Sequence, residues 1–100
     1  MEKRKAHHPL ATVKRLIAEG RVSFTMSAVA GSAAMGFAAE GMLDVVSSLS
    51  NRNLYKSMTT HTDHKSWHDV YHVDTVRGVV YLKLTVVEDL LIVSFKEKDE

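Results

Sequence analysis

The 100-residue sequence contains no cysteine, one proline and five glycines. The absence of cysteine excludes disulfides, thiolate zinc sites and cysteine nucleophiles. So little proline and glycine is atypical of a linker-rich or low-complexity chain. No stretch approaches the roughly 18 apolar residues of a membrane-spanning helix, and the first residues lead into no apolar run typical of a secretory signal. We therefore expect a cytoplasmic protein that does not enter a membrane.

The composition is that of an ordinary globular protein, with 45% hydrophobic and 25% charged residues. A chain of this length supports one hydrophobic core, which predicts a single domain over residues 1–100. The net charge is +1, but residues 1–21 hold six cations and two acids, whereas residues 22–51 hold two acids and no cation. The basic start of the chain is either a solvated terminus or a binding surface for a polyanion.

Three helices are predicted in the first half of the chain. The first begins after Pro9, which suits a first helical turn, and ends before Gly20. After a short extended piece at Val22–Phe24, the second helix begins at Ser27 as N-cap and ends at Gly36. The third is amphipathic, because apolar residues recur with helical spacing at Met42, Val45, Val46 and Leu49.

The second half alternates with a period of two and predicts four strands. Their bounds are Leu54–Thr60, Trp67–Val73, Val79–Val87 and Leu90–Lys98. Helices followed by a meander of strands indicate an α+β domain with an antiparallel sheet.

The last two strands form a hairpin whose register can be derived. If Glu88 and Asp89 form a two-residue turn, the numbers of cross-strand partners sum to 177, and Tyr81 lies opposite Lys96. One face is then entirely apolar and is expected to pack on the helices: Val80, Leu82, Leu84, Val86, Leu91, Val93 and Phe95. The opposite face carries a phenol, cations and hydroxyls, and also four apolar residues: Val79, Tyr81, Lys83, Thr85, Val87, Leu90, Ile92, Ser94, Lys96 and Lys98.

This polar face is either a solvated sheet surface or a binding site. Lys56, in a separate strand, adds a further cation, and the hydroxyl of Thr59 lies near it in the sequence. Several cations and a phenol on one sheet face suit a phosphodiester, because they neutralise a phosphate without a metal. Tyr55, Trp67 and Tyr71 are candidates for stacking on single-stranded RNA, although a place in the core is the preferred interpretation for Trp67.

Four histidines form the second candidate site. His61, His64, His68 and His72 are spaced by three, four and four residues, so on a helix they would line one side and suit zinc. The intervening Trp67, Val70, Tyr71 and Val73 favour a strand instead. On a strand His68 and His72 share a face while the other two lie in the preceding loop, so we predict no metal site.

Beyond these patterns, the chain resembles a known family over nearly its full length. The matching residues are Met1-Glu2-Lys3-Arg4, His7, Leu10, Val13, Lys14, Gly41-Met42, Tyr55-Lys56-Ser57-Met58-Thr59-Thr60, Asp63-His64, Trp67, Asp69-Val70-Tyr71, Gly78, Val80-Tyr81-Leu82-Lys83, Thr85-Val86 and Ile92-Val93-Ser94-Phe95-Lys96-Glu97-Lys98. In these residues it is similar to the motility quorum-sensing regulator toxins (MqsR). The resemblance implies a fold like that of the RelE and YoeB toxins.

The resemblance also implies an activity and partners. Members are sequence-selective mRNA endonucleases that cut free mRNA without a ribosome and need no cofactor. Each is neutralised by an MqsA-type antitoxin with a zinc-binding domain and a helix-turn-helix domain, so zinc belongs to the partner and DNA is contacted only through it. The implied active-site residues fall here on Lys56, Tyr81 and Lys96, with His7 as a further candidate.

One position departs from the family, because His68 stands where glutamine is usual. Imidazole titrates near neutrality, whereas glutamine transfers no proton. We predict Lys56, His68, Tyr81 and Lys96 as catalytic residues, with His68 or Tyr81 transferring protons. A second, RNA-binding set comprises His7, Thr59, Lys83 and Ser94. The alternative is a non-catalytic module that binds only its antitoxin or RNA, and the departure at His68 is its main motivation.

Overall fold

The computed structural model describes residues 1–60, 62 and 65–99 of the chain. The helices are α1 (Leu10–Ala18), α2 (Met26–Ala34) and α3 (Ala39–Ser47), followed by a short 3₁₀ helix (Asn51–Asn53). The strands are β1 (Glu2–Lys3), β2 (Val22–Phe24), β3 (Leu54–Thr59), β4 (Trp67–Thr75), β5 (Gly78–Val87) and β6 (Asp89–Glu97). The prediction of an α+β protein is confirmed.

The sheet is mixed, so the prediction of a wholly antiparallel sheet is wrong. Its six strands lie in the order β1-β3-β4-β5-β6-β2, and β2 runs parallel to β6 while the other pairings are antiparallel. Arg21, just before β2, brings the two strands together, because its Nε lies 2.8 Å from Oδ1 of Asp89 at the start of β6. The Leu90 amide also donates to the Arg21 carbonyl at 3.0 Å. This long-range contact has no local signal in the sequence.

The termini of α1 and the end of α2 agree with the prediction, whereas the start of α2 does not, and α3 ends at Ser47, before Leu49. Pro9 precedes α1, and Gly20 and Gly36 adopt φ of 72° and 88°, left-handed values that glycine adopts without strain. The N-cap of α2 is Thr25 rather than Ser27, and its Oγ1 accepts from the Ala28 amide at 3.0 Å. Within the described residues no single helix is long and apolar enough to cross a membrane, and α2 with α3 meet that test only as a pair bent by 93°.

The core lies between the helices and one face of the sheet. The helices contribute fully buried apolar side chains, which are Val13, Leu16, Ala28, Met42 and Val46. The sheet contributes Tyr71, Val73, Val80, Leu82, Leu84, Leu90, Ile92 and Phe95. Gly31 of α2 lies so close to β6 that an added Cβ would collide with the Phe95 carbonyl oxygen, so a side chain there would push the helix off the sheet. The opposite sheet face is therefore left uncovered by the helices.

The predicted register of the β5–β6 hairpin is correct in the half that is distant from the turn and wrong in the half next to the turn. Tyr81 pairs with Lys96 and Lys83 with Ser94, as predicted, but beyond a bulge Leu84 pairs with Ile92. The turn is shorter than two residues, since Val87 pairs with Asp89 and Glu88 lies between them with φ of 66°. Leu90 and Ile92 are consequently buried, whereas Leu91 and Val93, predicted to be in the core, are partly exposed.

Candidate active site

Buried Asp69 fixes the N-terminal segment to the sheet beside the polar face. Its two carboxylate oxygens accept from the backbone amides of His7 and His8 at 3.0 and 2.9 Å, and it also accepts from the Ser57 hydroxyl. Because β1 then pairs with β3, Glu2 is placed beside Lys56, and the two side chains form an ion pair at 2.9 Å.

Three aromatic side chains cross the uncovered face in one line, here called the aromatic row: Tyr55 on β3, His72 on β4 and Tyr81 on β5. The Tyr55 and His72 rings stack, with centroids 4.5 Å apart and planes 20° apart. His72 pairs directly with Tyr81, and their ring centroids are 6.0 Å apart at 41°. Tyr81 in turn pairs with Lys96, whose Nζ lies 5.2 Å from the Tyr81 ring centroid.

A second line, here called the cationic row, consists of Lys56 on β3 and Lys83 on β5, with Val70 of β4 between them. Ser94 of β6 continues it opposite Lys83. Since Lys83 follows Tyr81 by two residues, the two rows are about 6.6 Å apart on β5. On β3, Tyr55 and Lys56 are consecutive residues at a register shift. The face therefore presents ammonium groups beside aromatic rings.

The aromatic row borders an open cavity of about 690 Å³. Its walls are formed by aromatic and charged side chains, namely Tyr55, His72, Tyr81, Lys96, Glu97, Lys98 and Asp99. Lys98 is paired with Asp99 at 3.1 Å, and the positive charge that acts on the Tyr81 phenol comes from Lys56 of the adjoining cationic row. A cavity of this kind can admit an anion with an attached planar ring.

Like charges converge on the cationic row. Burial, together with the charges of Lys96 and Lys56, lowers the pKa of Lys83. The pKa of Lys56 is raised, chiefly because its ammonium donates a hydrogen bond to Glu2. An incoming phosphate would relieve the repulsion among these lysines, which favours anion binding here.

The phenol of Tyr81 has a raised pKa, because burial outweighs the opposing effect of the Lys56 charge. It is therefore protonated at neutral pH. A role for Tyr81 as a base would need the opposite shift of its pKa.

His72 is the residue that the sequence prediction left without a role. Burial, and next the charge of Lys98, lowers its pKa, so its imidazole is neutral near pH 7. The alternation that places His68 on the polar face also places His72 there, and this was the available signal. The stacking of His72 on Tyr55 could not be predicted from this alternation, because Tyr55 lies at a register shift between β3 and β4.

The structure brings together most, but not all, of the predicted site residues. Lys56, Tyr81, Lys83, Ser94 and Lys96 share the uncovered face, and His68 lies on it beyond Val70, paired with Met58.

The other two predicted residues lie apart from this group. Thr59 points to the opposite face, where its hydroxyl lies 3.3 Å from the N-terminal amine. The His7 ring stacks on Trp67 at 5.3 Å on that same side.

No metal site is found within residues 1–60, 62 and 65–99, where no three His, Cys, Asp or Glu side chains cluster as metal ligands would. Two of the four histidines considered as a zinc site, His61 and His64, lie outside the described residues.

Comparison with known proteins identifies relatives of this chain. The family model described as "Motility quorum-sensing regulator, toxin of MqsA" matches residues 5–97. A curated protein of Escherichia coli (strain K12), the mRNA interferase toxin MqsR, is 50% identical over 98 residues, which cover 98% of this chain and all of that protein.

Proposed function

The chain belongs to the motility quorum-sensing regulator toxin family, and we propose from this premise that it is an mRNA endoribonuclease that inhibits translation and growth. The observation that carries the proposal is the direct pairing of Tyr81 with Lys96 beside the cationic row of Lys56 and Lys83. A phenol next to several ammonium groups supplies a proton and positive charge to a phosphodiester without a metal.

We assign the reaction to attack by the RNA 2′-oxygen on the adjacent phosphorus. The P–O5′ bond breaks, and the products are a 2′,3′-cyclic phosphate and a 5′-hydroxyl. Lys56, Lys83 and Lys96 stabilise the negative charge that develops on the phosphorane. Tyr81 donates its proton to the leaving 5′-oxygen, consistent with the raised pKa of its phenol.

His68 is the proposed acceptor of the 2′-hydroxyl proton. It lies on the same sheet face as the lysines, and an imidazole is a suitable base near neutral pH. His68→Gln should therefore lower kcat and abolish the acidic limb of the pH–rate profile, because the amide accepts no proton. Near-parental kcat with an unchanged profile would assign the base to another group.

Lys56 must exchange Glu2 for the phosphate when RNA binds. An ion pair with so exposed a carboxylate is weak, so Glu2→Gln should lower KM for RNA by only about two- to fivefold. The matched control is Glu19→Gln, which removes the same charge from an ion pair with Arg15 on α1. Equal effects of the two variants would mean that only net charge changed.

Further properties follow from family membership as proposals. The fold is of the RelE and YoeB toxin class, with residues 1–100 as one toxin domain in the cytoplasm. The partner is an MqsA-type antitoxin that carries zinc-binding and helix-turn-helix domains and mediates any contact with DNA. His7 and Thr59, which lie apart from the site, would contact RNA only beyond the cleaved nucleotide.

Cleavage of a defined RNA tests the function. Purified protein in EDTA should cut a single-stranded RNA and leave 2′,3′-cyclic phosphate and 5′-hydroxyl ends, since no step uses a metal. Binding of RNA without cleavage, over a wide range of protein concentration, would favour the non-catalytic alternative. Activity that EDTA abolishes would contradict the assignment of charge stabilisation to the lysines.

A further inference from the structure

We propose that the Tyr55 and His72 end of the aromatic row is a nucleobase subsite, on which a base next to the scissile phosphate stacks. The inference rests on the proposed ribonuclease function and adds to it the place of the base. It assigns a ligand to the part of the cavity that takes no part in proton transfer or in phosphate binding.

The first argument is the presence of an aromatic surface where a phosphate alone needs none. Tyr55 and His72 are nearly parallel at 4.5 Å, and Tyr81 continues the row. Tyr55 remains 43% exposed although it is large and apolar. Because every base has a π-face, stacking on such side chains is the usual way in which proteins hold single-stranded RNA.

The second argument is spacing. On β5 the aromatic row lies two residues from the cationic row, because Lys83 follows Tyr81 by two residues, a distance of about 6.6 Å. On β3 Lys56 directly follows Tyr55, and its ammonium lies 5.4 Å from the Tyr55 ring centroid. A nucleotide carries its phosphate and its base on either side of one ribose. A phosphate held by the cationic row therefore places an attached base over the aromatic row, within the 690 Å³ cavity.

The third argument is charge. The pKa of His72 is lowered, so the imidazole beside Tyr55 is neutral near pH 7 and stacks without adding a charge. The Arg4 guanidinium carbon and the Lys56 ammonium each lie 5.4 Å from the Tyr55 ring centroid. Cations beside the stacked rings would meet the phosphates that flank the bound base.

The test uses RNA in which 2-aminopurine stands on either side of the bond that the parental protein cuts. A 2′-deoxy nucleotide at that bond removes the nucleophile, so binding can be followed without cleavage. We expect quenching of 2-aminopurine fluorescence at one of the two positions, because stacking on the aromatic row quenches the base. Quenching at neither position would overturn the proposal.

Paired variants separate stacking from packing. Tyr55→Leu and His72→Leu should abolish the quenching and raise KM for cleavable RNA about tenfold, with kcat changed less than twofold. Tyr55→Phe and His72→Phe keep a ring, so each should raise KM less than the leucine variant at the same position and should retain part of the quenching. Thermal unfolding establishes that each variant is folded, and parental KM in both folded leucine variants would overturn the proposal.

Failure of the proposed function is observed separately. If the parental protein cuts no RNA, the proposed function is wrong, but the subsite can still be tested by scanning 2-aminopurine along an uncut oligonucleotide. Quenching that Tyr55→Leu abolishes would support a base subsite in a binding protein. Absence of quenching at every position would overturn it.

Discussion

Replacing Tyr81 with phenylalanine is expected to lower kcat for RNA cleavage by about a hundredfold or more, with little loss of stability. The variant keeps the ring that lies against Lys96 and His72 and removes one hydroxyl. The leaving 5′-oxygen then lacks its proton donor. Single-turnover cleavage measures the chemical step, and thermal unfolding shows whether the fold is retained.

Lys96→Met should produce a loss of similar size by removing charge next to the phosphate. If Tyr81 and Lys96 act as a unit, the double variant should lose less than the two single losses combined. Lys14→Met is the matched control, because it removes the same charge from an exposed position on α1. Cleavage by Tyr81→Phe at the parental rate would limit Tyr81 to packing and reassign the chemistry to Lys56 and His68.

The central part of this site could be predicted because it depends on local alternation. Tyr81 and Lys96 pair as the simple hairpin register requires, and Lys83 pairs with Ser94 in the same half. Alternation along a strand also places Lys56 on one side and Ser57 on the other. These pairings can be predicted from the two-residue alternation of a strand and the position of its partner strand.

The remaining features depend on contacts between distant segments. The bulge in β6 lies beside Thr25, the N-cap of α2. The Thr25 hydroxyl donates to the Val93 carbonyl at 2.7 Å. Its amide donates to the Ile92 carbonyl at 3.1 Å. These bonds fix the shifted half of the hairpin, and a hairpin considered alone contains neither.

The surroundings of Lys56 are non-local in the same way. Glu2 reaches it because a two-residue strand pairs with β3 across more than fifty residues of sequence. A strand so short has no periodicity to detect. The buried Asp69 carboxylate that positions this segment binds backbone amides, and the sequence does not specify such contacts.

Ile92→Asp is expected to prevent folding, whereas Val93→Asp should fold. Ile92 is fully buried against the helices, so an aspartate there would place an unpaired carboxylate in the core. The free-energy cost of burying this carboxylate is a large part of the roughly 5–15 kcal/mol by which native proteins are stable. Val93 is partly exposed at the bulge and has no cross-strand partner, so its carboxylate would remain hydrated.

Urea denaturation of the two variants provides the measurement. Val93→Asp should unfold cooperatively with a moderately lowered midpoint, and Ile92→Asp should show no native baseline. Because the two residues are adjacent, both variants carry the same added charge at the same end of the sheet, and any difference comes from the face that each side chain occupies. A folded Ile92→Asp beside an unfolded Val93→Asp would mean that the simple two-residue turn is correct and that β6 carries no bulge.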